Sequence, residues 1–295
     1  MTRTSLADAS PNARGAAFMV LAMAGFSSND ALIKLVSQDI PLFQAIFLRG
    51  VIVSAAFGLI AYATGVLKSV HSRRDRRALL GRTTGETLGA FCFLTALTQL
   101  PIANATAILQ SMPLAITLGA AFLLHEPVGW KRYAAIAVGF LGVLVIVRPG
   151  AEGFNSYGFL AMAAVFLFTL RDLSTRQISP DVATVLAAFI TSSITTCVAG
   201  IVSLFGGWET VTGLNVLTLF VGAGCLMVGY HFSIIGMRTG DVGFVSPFRY
   251  ALLIWAMILG WLIYGDIPDI WMITGAGIVV AAGFYTFYEE RARRR

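Results

Sequence analysis

The sequence predicts an all-α polytopic membrane protein: ten transmembrane helices, arranged as two inverted five-helix repeats. Three observations carry this. Hydrophobic residues make up 57% of the 295-residue chain and charged residues only 12%, against about 25% charged in a soluble domain. The apolar residues gather into ten runs, each long enough to cross a bilayer. And the second half of the chain repeats the polar pattern of the first.

The runs fall at residues 16–36, 43–64, 84–100, 104–124, 131–147, 157–178, 182–205, 214–236, 242–264 and 270–288. A backbone in lipid must satisfy its own polar groups, so each run is read as a helix. Residues 1–14 form a polar, disordered tail, and 289–295 a basic one. The first run lacks a short apolar core with a small-residue cleavage site, and is read as a retained span rather than a signal peptide. The longest connection, LKSVHSRRDRRALLGR at 67–82, is too short for a soluble domain.

Lysine and arginine set the orientation. With the N-terminus cytoplasmic, 16 of the 21 basic residues fall in inner segments, four (Lys34, Arg49, Arg171, Arg249) within spans, and only Arg148 outside. Both termini are therefore expected inside, in a bacterial inner membrane. The net charge of +6 does not point to nucleic acid, because the basic residues sit at span ends and form no face interleaved with aromatics. Cys92, Cys197 and Cys225 are isolated in apolar runs, with no metal-ligand spacing. No catalytic ordering of His, Asp and Ser, and no cofactor loop, is present.

Sliding the chain by 142 residues lays SNDALIKLVSQD (28–39) on LRDLSTRQISPD (170–181). Asp30 meets Asp172, Lys34 meets Arg176 and Asp39 meets Asp181. A slide of 140 lays HEPVGW (125–130) on GDIPDI (265–270). Two copies of a five-helix unit must enter the membrane in opposite orientations, because five is odd. Repeat one is 15–150 and repeat two 151–288. Inverted repeats recur in secondary transporters, whose midplane site opens to each side in turn.

The stretch 96–150, with its Pro113 helix, its Glu126-Pro127 ending and its Gly139/Gly142 helix closed by Arg148-Pro149, resembles the second half of an EamA repeat of the drug/metabolite transporter superfamily. Residues 241–269 resemble the matching part of the second repeat. Arg49, in FLRG, stands where members of that family often have an arginine. The resemblance covers about 15–288. It implies ten helices, a central cavity and a small organic substrate. Within the family the chain resembles riboflavin-transporter-like proteobacterial members, which makes uptake of riboflavin or a similar planar metabolite the leading expectation. Export of amino acids, other metabolites or drugs is the alternative. An enzyme or a channel is remote, for want of a catalytic cluster or a polar selectivity loop.

Polar residues inside spans are the candidate site, since each needs protein, water or ligand as partner. Arg249, beside Tyr250 and after Ser246-Pro247, is a candidate substrate contact, with a structural pair to Asp30 or Asp172 as the competing role. Gln110 aligns with Tyr250. Arg49 is either a substrate contact or a donor to backbone carbonyls. Asn29, His231 and Trp255 complete the substrate-binding set, His231 also as a group that could carry a coupling proton. Glu86 reads as a helix N-terminal cap. Asp30, Lys34, Asp172 and Arg176 are candidate gating residues. Each Asp and its base at i, i+4 share a helix face. In the competing reading Lys34 and Arg176 simply reach the headgroups. The Gly139/Gly142 pair reads as close helix packing. Partners expected are a small molecule and the bilayer. No motif fixes the coupling ion, the direction or the oligomeric state.

Overall fold

A computed structural model describes residues 10–68, 72–123, 129–149, 155–239 and 242–293. Among them every regular element is helical: α1 (Pro11–Val36), α2 (Leu42–Ala63), α3 (Arg73–Gln99), α4 (Ile102–Leu109), α5 (Met112–Leu123), α6 (Trp130–Val147), α7 (Tyr157–Thr175), α8 (Thr184–Ser203), α9 (Gly213–Thr239), α10 (Val242–Val245), α11 (Ala251–Tyr264) and α12 (Ile270–Arg293), with a 3-10 turn at Ser246–Tyr250. The fourth span is thus α4 and α5, broken at Gln110-Ser111. The ninth is α10, the 3-10 turn and α11, broken around Pro247. Proline removes a backbone donor there.

Among the described residues nine of the ten spans are long and apolar enough to cross a membrane, by length and composition. The tenth is α3, whose first turns read RRDRRALLGR. It begins at Arg73 rather than near residue 84, where Ser72 Oγ caps it by accepting from Arg74 N at 3.0 Å. Arg82, expected in a connection, therefore lies well inside a span. The helix also starts earlier in α1: Ser10 Oγ accepts from Ala13 N at 3.3 Å and Pro11 opens the first turn, so 11–14 are helical rather than part of a disordered tail. At the other end, α12 carries the helix into the basic tail as far as Arg293. Glu126 and Pro127, matched with the second repeat, lie outside the described residues.

Packing follows the repeat. The principal pairs are α1 with α9, α3 with α7, α2 with α8 and α6 with α12. The repeat relation turns the first pair into the second, and turns each of the other two into itself. The α2–α8 contact makes this visible. A Cβ on Gly58 would lie 2.8 Å from the Phe189 ring, and one on Gly200 would lie 2.8 Å from the Phe47 ring. Phe47 and Phe189 are 142 residues apart, and so are Gly58 and Gly200. Each phenylalanine fills the gap left by the other repeat's glycine. The Gly142 close-packing expectation also holds, since a Cβ there would sit 2.9 Å from the Gly275 carbonyl.

With ten spans running from α1 to α12, the start of α1 at Pro11 and the end of α12 at Arg293 fall on the same face of the bundle. Among the described residues the main apolar core, including Ile33, Ile46, Leu97, Ile102, Ile108, Val143 and Met272, draws mostly on the ends of α1, α3 and α6 and the starts of α2, α4 and α12. Smaller clusters form around Met19 and Val245 and around Leu114 and Ile136.

Candidate functional site

Charged and amide side chains converge where α1, α2, α3 and α7 meet at mid-depth. Arg49 Nη1 donates to Asn29 Oδ1 at 2.8 Å, and Asn29 Nδ2 donates to Asp30 Oδ1 at 3.0 Å. Across the bundle Arg171 Nη1 donates to Glu86 Oε2 at 2.8 Å and its Nε to Asp172 Oδ1 at 2.7 Å. The guanidinium also lies over the Phe168 ring, 4.7 Å from its centroid. Arg82 Nη1 donates to Thr175 Oγ1 at 2.6 Å. These bonds are what make ionised groups tolerable at that depth.

Beside this network is a cavity of about 90 Å³, between α2, α3, α8 and α9. That is room for a few water molecules, below the roughly 300–1,000 Å³ of a pocket that encloses a small molecule. Arg49, Arg82 and Glu86 supply charge to it, Phe57 and Tyr230 supply rings, and Ser192, Thr191 and Thr195 supply hydroxyls. Thr191 and Thr195 are paired with Thr83 and Thr87 of α3 at 3.2 and 2.7 Å. The Nε atoms of Arg49 and Arg82 are buried without a protein partner.

Arg249 is differently placed. It is water-accessible and sits in the broken ninth span. No bond to its guanidinium from another described residue is present; only its backbone carbonyl is engaged, by Gln110 Nε2 at 3.4 Å. The expected structural pair with Asp30 or Asp172 is therefore not formed. Tyr250 stacks on Phe284 at 5.4 Å, with its hydroxyl buried and unpartnered.

Other expected residues lie elsewhere. His231 is exposed and packs edge-on against Phe232 at 5.6 Å, apart from the cluster. Trp255 Nε1 donates to the Val20 carbonyl at 3.2 Å and fastens α11 to α1. Arg176 is exposed at the C-cap of α7.

Lys34 does not reach the headgroups. It is 9% exposed, donates to the Leu100 carbonyl, and lies 5.0 Å from the Tyr264 ring centroid. The Leu100 carbonyl needs such a donor. It sits at the α3–α4 elbow, where Pro101 has no N–H and Asn104 N turns to the Pro101 carbonyl at 3.0 Å. Tyr264 in turn donates to the Ala31 carbonyl at 2.7 Å. One lysine thus ties together α1, the α3–α4 elbow and the end of α11 at the far face, opposite the termini. Nearby, Arg148 and Asp269 form an ion pair.

Glu86 is not an N-terminal cap. With α3 starting at Arg73, it lies mid-helix and holds Arg171. Arg171 was the signal for it, being a cation deep in an apolar run that demands an acid, but nothing local says which one. Tyr230 carried no signal, as one aromatic among many. Among the described residues no group of three or more His, Cys, Asp and Glu could hold a metal ion.

Two halves of opposite orientation around a polar midplane cavity define a polytopic carrier-type membrane protein. The EamA-like transporter family matches residues 13–148 and 155–288, and the chain belongs to that family. It is 29% identical over 309 residues to a riboflavin transporter of Rhizobium johnstonii, covering 100% of this chain and 98% of that one. It is 26% identical over 286 residues to an S-adenosylmethionine uptake transporter of Rickettsia bellii, covering 94% of both. It is 25% identical over 270 residues to a pseudopaline exporter of Pseudomonas aeruginosa, covering 91% of this chain and 94% of the relative. All are membrane transporters of small metabolites, as is this family.

Proposed function

We propose that the chain takes up riboflavin, or a similarly planar and polar metabolite, across the bacterial inner membrane by alternating access, with both termini cytoplasmic. The observation that carries the reading is the cavity. Its lining sets two aromatic rings and a row of hydroxyls beside arginine donors, chemistry that matches a flat heterocycle bearing a polar chain once the helices part to admit it. Riboflavin and S-adenosylmethionine, named for two relatives, share that build. Arg249, accessible and without a bonded acid, adds a further donor.

The test is rescue of a riboflavin-auxotrophic bacterium that lacks its own importer. Growth at low riboflavin is expected, with Arg249→Met reducing it at equal membrane expression. No growth despite good expression removes riboflavin uptake. Topology is tested by cysteine labelling: sites at 68–82 should react only from the cytoplasm, and sites at 206–213 only from outside.

Export is the second reading, supported by the exporter among the relatives. Alternating access is reversible, so direction is set by gradients. Accumulation of a labelled solute in inverted vesicles but not in right-side-out cells would favour it.

A further inference from the structure

Asp30 and Asp172 occupy equivalent places in the two repeats, but the residue before each differs. Before Asp172 stands Arg171, whose Nε donates to Oδ1 at 2.7 Å. Before Asp30 stands Asn29, whose neutral Nδ2 donates at 3.0 Å. One carboxylate is held by a full positive charge and the other by an amide.

The surroundings of Asp30 do not make up the difference. Against α1, α2 brings Arg49, α9 brings Cys225 and Tyr230 and α11 brings Tyr264; α3, which carries Arg82 and Glu86, and the 3-10 turn, which carries Arg249, also pack on α1. Lys34, one turn along α1, is turned to the Leu100 carbonyl. Among the described residues no cation lies within ion-pair distance of Asp30. Arg49 comes nearest, but its guanidinium is bonded to the far side of the Asn29 amide, at 2.8 Å. Asn29 is thus a wedge, 3% exposed, between an acid and the cation that would keep it charged. An unpaired carboxylate in the bilayer interior is costly and is relieved by taking a proton.

We propose that Asp30 is a proton-binding site of the transport cycle, so that the proton is a co-substrate, while Asp172 is a fixed charge. In the conformation described here an O–H bond forms on the free carboxylate oxygen of Asp30. When the helices rearrange, the Asn29 amide leaves the gap, Arg49 meets the carboxylate, and the proton departs to the face then open. No other bond changes. This rests on the carrier reading of the site, though not on the identity of its solute.

The decisive experiment needs no solute. Infrared titration of the purified protein in lipid nanodiscs follows the protonated-carboxyl band. A band that titrates in the physiological range is expected in the wild type and in Asp172→Asn, and is expected to vanish in Asp30→Asn. A band that persists in Asp30→Asn, or is absent from the wild type, overturns the proposal. Should Asp30→Asn misfold, wild-type protein with ¹³C-labelled aspartate carboxyls gives the answer by resonance: one interior aspartate titrating near neutrality supports it, none sinks it. Proteoliposomes with riboflavin as probe then separate the two claims. Gradient-driven accumulation in the wild type, with exchange but no accumulation in Asp30→Asn, is expected. Accumulation indifferent to the proton gradient overturns the coupling. Complete absence of riboflavin movement rejects the solute and leaves the infrared result to decide Asp30.

Discussion

Lys34 and Arg176 stand 142 residues apart at matched positions of the two repeats, and they live in different solvents. Lys34 is buried, bonded to an elbow carbonyl and faced by a tyrosine ring; Arg176 is exposed at a helix end. The α2–α8 contact, by contrast, is the same from either repeat, with Phe47 on Gly200 and Phe189 on Gly58. The scaffold helices keep the symmetry and the helix ends break it.

The largest expected effect tests the Glu86–Arg171–Asp172 cluster, which the repeat relation does not reproduce around Asn29 and Asp30. Glu86→Gln leaves Arg171 with Asp172 alone, and losing one partner of a buried pair costs about 3–5 kcal/mol. The thermal midpoint in detergent should fall sharply. Asn29→Ala, at the place equivalent to Arg171, should cost less, about 1–3 kcal/mol. Equal losses would mean that the two clusters are energetically alike.

Next comes the Lys34 contact. Lys34→Leu removes one charged hydrogen bond, about 1.5–3 kcal/mol, and should raise far-face reactivity of a cysteine placed beside Arg249 roughly tenfold or more. Arg176→Leu should change it far less, by under about 1 kcal/mol, as an exposed charge. Similar shifts from both would erase the contrast between them.

The scaffold offers the reverse test. Gly58→Leu and Gly200→Leu each overfill one side of a self-matching contact, costing about 1–3 kcal/mol. Matching losses are expected, and a clear inequality would show that the two-fold relation fails there. The smallest effect belongs to Trp255→Phe, which gives up one hydrogen bond to Val20 and about 1 kcal/mol, without changing the far-face reactivity.

Much of this fold is legible in the sequence because lipid imposes long apolar runs, and because the acid–base spacing of 30/34 recurs at 172/176. Depth along a span is therefore readable. Direction around it is not. A helix that is apolar on every side shows no periodicity to mark its inward face, so His231 and Asn29 look equally promising although one faces out and the other is buried. Pairing between distant helices is equally silent: Glu86 and Arg171 are separated by 85 residues. The charged start of α3 hides its membrane depth, and so misplaces both Arg82 and Glu86.

The lysine at the far face has a consequence for the cell's energy supply. A bacterial inner membrane holds a voltage, and any water-filled passage through it would drain that voltage. Where the end of α1 meets the α3–α4 elbow, the Lys34 ammonium is locked to a carbonyl and backed by an aromatic ring. Positive charge lining a passage repels sodium ions and protons. The contact that ties these helices together therefore also opposes cation leak.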